Sequence, residues 1–488
     1  MERTRLSLVD VGERRMWAAR FVIASWLLAL PAIGACVRYQ PKPIAAPATL
    51  ASIEERTIES ADLGRFLQAN HQVTDWPPRA WDLRALTLAA FYYHPDLDQA
   101  RATWATARAA RVTAGERPNP SLSVAPGYNS SAPVSEITPW IFTLGLDVTL
   151  ETAGKRGLRV AQARHASEAA RLSIASTAWQ VRSRVRQALL DVYAANATAA
   201  LLERQQQIQS SVLVLLERQL SAGAVSPFER TQARLALDNV RLAMQDALRQ
   251  QAEARVHLAA ALGVTVRALD GARLVFDVFE RTPSEVPGAE ARRQALVNRA
   301  DILAALAEYE ARQAALQLEV ARQYPDVHLG PGYQLDQVAN KWTLGLASLL
   351  PVFSRNRGPI AEADARRSEA AAAFVVVQSR AIEEIDRGLA GYRAALTKIA
   401  AADALRADLL KQEQQAQAQL RAGDISKLEL GSIQMELAAG DLACLDARVK
   451  AFQALGALED ALQTPVEPGE WLQSAPRQDV RTPATRDR

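Results

Sequence analysis

The sequence predicts a mainly α-helical protein with a small β part, assembled from one structural unit used twice. Three observations predict this. Ala, Arg, Gln and Leu dominate long stretches while aromatic residues make up only 6% of the chain, the composition of long helices rather than compact globules. Two segments, from about Leu158 to Leu220 and from about Ile360 to Leu420, contain no proline and little glycine. Finally, the chain matches itself in order across segments of different kinds.

The self-match runs as follows along the chain. Residues 94–128 align without a gap on 299–333, pairing Asp96 with Asp301, Pro120 with Pro325, and Pro126-Gly127-Tyr128 with Pro331-Gly332-Tyr333. Thr143-Leu144-Gly145-Leu146 then pairs with Thr343-Leu344-Gly345-Leu346, and at the same offset Gln219 to Ser226 matches Gln419 to Ser426. Ordered matches over helical, alternating and turn-like sequence mark a duplication.

The chain opens with an Arg-containing segment, the apolar run Phe21 to Leu30, and Ile33-Gly34-Ala35-Cys36. This is the pattern of a secretory signal, residues 1–35, starting at Met1 or Met16. Small residues directly before Cys36 resemble a bacterial lipid-attachment box, which makes Cys36 the acylated first residue of the mature chain. The alternatives are cleavage by the ordinary signal peptidase or a short membrane anchor. The apolar run is shorter than the ~20 residues a helix needs to span a bilayer. No second run is comparable, so any further membrane crossing must use strands. Residues 36–81 are expected to be an extended segment before the first repeat.

The first repeat covers 82–263. Residues 82–117 read as one helix. From Ser121 the pattern alternates, with Leu122 and Val124 on one face, and after a polar loop Trp140, Phe142, Leu144, Leu146, Val148 and Leu150 alternate with Ile141, Thr143, Gly145, Asp147 and Thr149. Period two predicts strands over about 120–128 and 140–150, long enough to cross a bilayer in a tilted barrel. The second repeat, 291–463, places strands at about 326–335 and 342–350. Tyr128, Trp140, Tyr333 and Trp342 stand at the loop ends of these strands, where a membrane interface favours amphipathic rings. A pair of hairpins covering a water-soluble core is the competing reading. Known transmembrane barrels begin at about eight strands, so two hairpins per chain require partner subunits; a dimer and a trimer both satisfy that.

The long segment after each second strand would reach on the order of 90 Å as a helix at 1.5 Å per residue. Val185, Leu189, Val192, Asn196 and Ala199 step by four and three, as do Ile385, Leu389, Tyr392, Leu396 and Ile399, a spacing suited to coiled-coil packing. Asn196 would be either a buried amide that sets register or the point where the seam loosens. Gly223 and Gly423 end these helices. Ser226 and Ser426 follow as N-caps, with Glu229 and Glu429 at capping-box spacing, and open return helices. The helix before the strands and the return helix together match one long helix in length, so they can stack end to end beside it. Residues 264–290 form a linker with a short possible strand, Leu274 to Phe279, and 464–488 are expected to be a disordered tail.

Charge and chemistry-bearing residues exclude several classes. The net charge is +3, and no basic run is interleaved with aromatics, so nucleic acid is not an expected partner. The five histidines are scattered without metal-ligand spacing, and no phosphate loop or nucleophile elbow is present, so no enzymatic activity, cofactor or metal centre is expected. With four Met and two Cys there is no soft-ligand cluster. His94 and His328 read as incidental surface or lumen residues, and Cys444 as a core residue.

Secretion signal, lipid-attachment box and two copies of helix, strand hairpin, long helix, glycine tip and return helix together resemble the TolC-like outer-membrane efflux factors. Glu151-Thr152-Ala153-Gly154-Lys155-Arg156-Gly157 and Leu350-Pro351-Val352-Phe353-Ser354-Arg355-Asn356-Arg357-Gly358 look particularly like the cobalt-zinc-cadmium efflux branch. The resemblance covers nearly the whole mature chain. It implies a homotrimer with a twelve-stranded transmembrane β-barrel and a periplasmic α-barrel of coiled-coil helices. It also implies an adaptor protein at the tips and an inner-membrane pump of the resistance-nodulation-division type. Gly223 and Gly423 match the family's adaptor-docking tips. Asp424, Glu429 and Glu229 lie where the family places an acidic pore constriction, while Leu420 and Ile425 stand near the places of its aromatic and basic latches. The expected function is a passive outer-membrane duct for small solutes, metal cations first among them. A drug duct and a structural periplasmic lipoprotein scaffold are the alternatives.

Overall fold

The structure is a computed structural model that describes residues 39–71, 76–131, 138–280, 282, 286–337 and 339–466. The secretion signal, Cys36 and nearly all of the expected tail lie outside these residues. The chain divides into two units, 1–55 and 56–488. In the first, α1 (Ala46–Glu54) begins with a proline in its first turn and buries no residue.

The second unit contains α2 (Ala61–His71), α3 (Leu83–Tyr93), α4 (Pro95–Gly115), β1 (Ser121–Tyr128), β2 (Trp140–Leu150), α5 (Lys155–Ser221) and α6 (Pro227–Leu262). It continues with α7 (Ala289–Asn298), α8 (Ala300–Ala321), β3 (Val327–Asp336), β4 (Ala339–Ser348), α9 (Arg357–Ala422) and α10 (Lys427–Leu462). At 67 and 66 residues, α5 and α9 each run about 100 Å.

Four local expectations are corrected. The segment 36–81 is helical over α1 and α2 rather than extended; α2 forms because Leu63 and Leu67, with Ile58 before them, bury their side chains in the same core as Leu86, Ala89 and Ala90 of α3. The single helix over 82–117 is two. His94 precedes Pro95, whose ring disfavours the helical region for the residue before it, and His94 takes ψ 123°. Its imidazole is buried, and Nδ1 accepts from the Asp96 amide at 3.2 Å. His94 is therefore a helix cap inside the fold, not a surface or lumen residue. Burial, followed by the nearby Arg184, pushes its pKa down and keeps the ring neutral. Residues 274–279 form one bridge, Trp81 to Leu274, and then a single 3₁₀ turn that buries Phe279 edge-on against Phe452.

The end-to-end stacking follows from these breaks. Gly263 closes α6 at φ +76°, and a Cβ there would lie 2.9 Å from the Tyr93 carbonyl, so α6 ends directly against the α3–α4 break. Arg56 Nη1 donates to the carbonyls of both Tyr93 (3.0 Å) and Gly263 (2.8 Å). In the second copy, Arg299 Nη1 donates to the Ala461 carbonyl at 2.7 Å, and Gln463 Oε1 accepts from the Ala300 amide at 2.9 Å. Each long helix thus lies beside a partner made of two shorter ones.

Val185, Leu189, Val192 and Ala199 are buried along α5. Asn196 is not: it is exposed, holding Gln251 Nε2 at 3.2 Å, and Ala195 turns inward instead. It sets no buried register. The two repeats are joined by ionic contacts in the core, where Arg182 and Arg186 of α5 meet Glu459 of α10 at 3.1 and 3.4 Å. Arg186 also donates to the Phe452 carbonyl at 2.9 Å. A Cβ at position 456 would fall 2.0 Å from the Arg186 guanidinium, so a side chain there would have to displace it.

The strands form one antiparallel sheet in the order β1-β2-β3-β4. Beneath it α4 packs on α5, α5 on α8, and α8 on α9. Sheet and helices therefore share one order and end at the same two edges: β1 above α4 on one side, β4 above α9 on the other.

Candidate functional site

The sheet has two chemically distinct faces, and the register fixes them. Tyr128 pairs with Trp140, Val124 with Leu144, Leu144 with Tyr333, Tyr333 with Trp342 and Leu329 with Leu346. Cross-strand partners share a face, so the apolar residues of all four strands form one continuous surface. Tyr128, Trp140, Trp342, Leu344 and Leu346 on it are exposed. The aromatic pairs stack with ring centroids 5.2 Å apart for Tyr128–Trp140 and 4.8 Å for Tyr333–Trp342. Each pair lies toward the loop end of its hairpin.

The opposite face is small and polar. Gly145 pairs with Gly332, which pairs with Thr343, and Gly330 pairs with Gly345. Near the helical end, His328 Nδ1 lies 3.2 Å from the Asp147 carboxylate and 3.3 Å from Thr149 Oγ1. Asp147 was not singled out from sequence and His328 was read as an incidental surface or lumen residue; strict alternation places both on this face.

Among the described residues both sheet edges are open. No residue of β4 is buried, and in β1 only Gly127 is even partly covered. Unpaired edges carry a row of free N–H and C=O groups.

The strand-to-helix junctions differ between the repeats. After β2, Ala153 and Gly154 both take positive φ, and the turn is clamped to the segment before β3. Thr152 donates through its amide to Asp326 (2.9 Å) and through its hydroxyl to the Pro325 carbonyl (2.7 Å). Lys155, buried, donates to Asp326 at 2.7 Å and to the Tyr324 carbonyl at 2.6 Å. After β4, Arg355 and Asn356 supply the positive-φ pair, and Asn356 donates to the Glu319 carbonyl at 2.7 Å.

At the far ends of the long helices, Gly223 (φ +72°) and Gly423 (φ +86°) adopt the left-handed conformation that ends a helix, with open space where a side chain would stand. Ser226 and Ser426 accept from the amides of Glu229 and Glu429. Only the second tip completes the capping box, with Glu429 Oε2 accepting from the Ser426 amide at 2.7 Å. That bond and the one from the Ser426 hydroxyl hold the Glu429 carboxyl below its ordinary range. Glu229 instead accepts from the Ser226 hydroxyl at 3.2 Å. Asp424, Glu229 and Glu429 are all exposed. One tip residue had no sequence signal beyond its position: Phe228, 69% exposed, opposite Leu428 in the other copy.

Cys444 is buried, with its thiol 3.2 Å from Asp403. Among the described residues, no helix is long and apolar enough to cross a membrane.

Residues 90–264 match the model of the outer membrane efflux protein family. The chain is 29% identical over 218 residues to the cobalt-zinc-cadmium resistance protein CzcC of Cupriavidus metallidurans, an overlap of 44% of this chain and 51% of that protein. The chain thus spans about half the length of the curated relative it matches. Among solved structures it superposes on CusC with a TM-score of 0.63 at 20% identity, covering 78% of this chain and 91% of that one. It superposes on the outer membrane channel CmeC of Campylobacter jejuni with a TM-score of 0.65 at 15% identity, covering 89% and 95%. The fold is that of the TolC-like outer-membrane channels.

Proposed function

We propose that this chain, whose first repeat carries outer membrane efflux protein sequence on a TolC-like fold, is the outer-membrane duct of a tripartite efflux system. The observation that carries the reading is the sheet: one continuous apolar face, one small polar face, and two open edges continued by open helix edges below. The strands alternate in direction and are even in number, so β4 of one chain meets β1 of the next antiparallel, and every seam can be alike. Three chains give twelve strands from four each, with the apolar face toward lipid and the polar face around the lumen.

In this reading Cys36 is acylated, and the hairpin tips hang into the periplasm. Gly223 and Gly423 keep the tips free of side-chain bulk, so that an adaptor protein seats on them and links the duct to an inner-membrane pump of the resistance-nodulation-division type. The duct does no chemistry; the pump supplies the energy. Threefold repetition sets Asp424 and Glu429, and Glu229 beside them, in a ring whose negative potential favours cations and repels anions. The likeness to CzcC favours divalent metal cations as cargo.

The test of the duct is a trimer that survives mild detergent and conducts ions in a planar bilayer; a water-soluble monomer would overturn it in favour of a periplasmic scaffold. Deleting the chain should sensitise cells to cobalt, zinc or cadmium. Sensitivity to drugs alone would reassign the cargo. Gly423→Val should leave the trimer intact and abolish export, and normal resistance in that strain counts against docking. Glu429→Gln should weaken cation preference in single-channel recordings, and unchanged selectivity would leave Glu429 as a helix cap only.

A further inference from the structure

His328 of β3 stands on the polar face of the sheet with its Nδ1 3.2 Å from each carboxylate oxygen of Asp147 on β2 and 3.3 Å from Thr149 Oγ1. An N–H···O bond is ordinarily about 2.9–3.0 Å long, so this nitrogen is shared between two oxygens and committed to neither. The same spacing is that of neighbouring ligands on one metal ion. Bonds of about 2.0–2.1 Å to nitrogen and about 2.0–2.2 Å to a carboxylate oxygen, at angles between square and tetrahedral, set the two donor atoms about 2.8–3.5 Å apart.

The surroundings favour a cation. Among the described residues His328 is the ion-pair partner of Asp147, while the basic side chains at this end of the sheet are engaged elsewhere, Lys155 on Asp326 and Arg159 on Glu151. With a neutral imidazole the pair carries one negative charge. His328 and Asp147 keep 40% and 48% of their side-chain surface exposed, so solvent reaches both. They lie on the two inner strands, away from the edges where another chain would pair. Two positions toward the loop end on the same face stand Gly145 and Gly330, so no side chain rises over the pair from that direction. A cavity of about 260 Å³ adjoins it, lined by Ser123, Thr143, Gly145, Asp147, Gly332 and Thr343 among others. The duplication does not account for the pair, since the repeat counterparts of His328 and Asp147 are Ser123 and Ala347.

Imidazole nitrogen with carboxylate oxygen is a donor set for zinc or cobalt, whereas magnesium and calcium call for oxygen alone. Two protein donors, with Thr149 Oγ1 at hand and water for the rest, make a weak site. A conduit requires that, because a passing ion must leave as readily as it enters.

We propose that His328 and Asp147 form a binding site for a divalent transition-metal cation, one per chain, at the base of the barrel lumen. The proposal rests on the duct reading for the lumen around it, not for the binding itself.

The test is a footprint of the untagged, full-length protein in detergent with diethyl pyrocarbonate. An imidazole bound through Nδ1 keeps its proton on Nε2 and has no free lone pair, so Zn²⁺ should protect His328 and Mg²⁺ should not. His257, exposed on α6, is the reference and should react equally in both. In equilibrium dialysis, His328→Gln and Asp147→Asn should each weaken Zn²⁺ binding by at least the ~10-fold that even an outer-shell change costs. His165→Gln, at the other histidine paired with a carboxylate, Glu310 at 2.7 Å, should leave it unchanged. A His328 footprint indifferent to Zn²⁺, or equal protection by Mg²⁺, overturns the site and leaves the pair as a tether between β2 and β3. Affinity lost in His165→Gln instead of His328→Gln overturns it too. Recording in a planar bilayer separates the two readings. Protein that conducts without Zn²⁺ protection loses the site and keeps the duct, whereas protection in a chain that neither trimerises nor conducts keeps the cation site and loses the duct.

Discussion

The two long helices are nearly equal in length and end in matching tips, yet α5 buries fifteen residues and α9 only seven. Their matched stripes show the same contrast. They differ at two places, Leu189 and Ala199 being buried while Leu389 and Ile399 are half-covered; Ile385 and Tyr392 are as enclosed as Val185 and Val192. The cause is position. α5 lies between α3, α4 and α6 on one side and α8 and α10 on the other, whereas among the described residues α9 packs on α8 and α10 with a short contact to α7. Its free flank leaves Val375, Val376 and Leu405 exposed. A repeat that is internal can complete its core within one chain; the same repeat at an edge leaves part of its core face uncovered there.

That comparison can be broken by mutation. Leu189→Ala should cost about 3 kcal/mol, the range for a large-to-small change in a closed core, and should lower the thermal midpoint of the subunit itself. Val376→Asp should leave helicity intact and dissociate the oligomer, read by mass in detergent. A trimer that tolerates Val376→Asp would move the subunit seam away from α9.

The junctions give a smaller contrast. Lys155→Met leaves Asp326 with its amide partner but without its cation, at a cost of about 2 kcal/mol. Arg357→Met at the equivalent place should leave the midpoint unchanged, and an equal loss in both variants would show that the second junction is clamped by contacts with another chain.

The tips differ least. Ser426→Ala should cost about 1 kcal/mol and Ser226→Ala less, since only Ser426 is part of a reciprocal box. The Glu429 carboxyl is lowered by its bonds to Ser426. Its contribution is therefore complete above the ordinary glutamate pKa and is lost as pH falls through the lowered value. The stability difference between the parent and Glu429→Gln should vanish in acid, and a difference that grows in acid would contradict the box.

Most of the local architecture was legible because it is written in short-range pattern. Alternation gave the four strands to within a few residues, and the absence of proline gave the long helices. Gly223 and Gly423 stood at tips because only glycine enters the left-handed region freely. Asn196 was misread because a helical stripe identifies a face only to within one residue, and Ala195 was the better fit to the core. His94 was misread because its burial depends on α6 arriving at the α3–α4 break, more than a hundred residues later. The helix of 61–71 was missed because its apolar residues are few and make sense only against α3.

The sequence by itself determined the repeat, the periodicities and the turn chemistry, all of which are set by a residue and its near neighbours. Only the tertiary structure decided which copy is enclosed and which is open. It alone brought Arg182 and Arg186 to Glu459, and it alone showed Val352-Phe353 standing free beside a clamped counterpart. Those outcomes depend on which helices meet across hundreds of residues, and a periodic pattern that both copies share carries no information about which of its faces will find a partner.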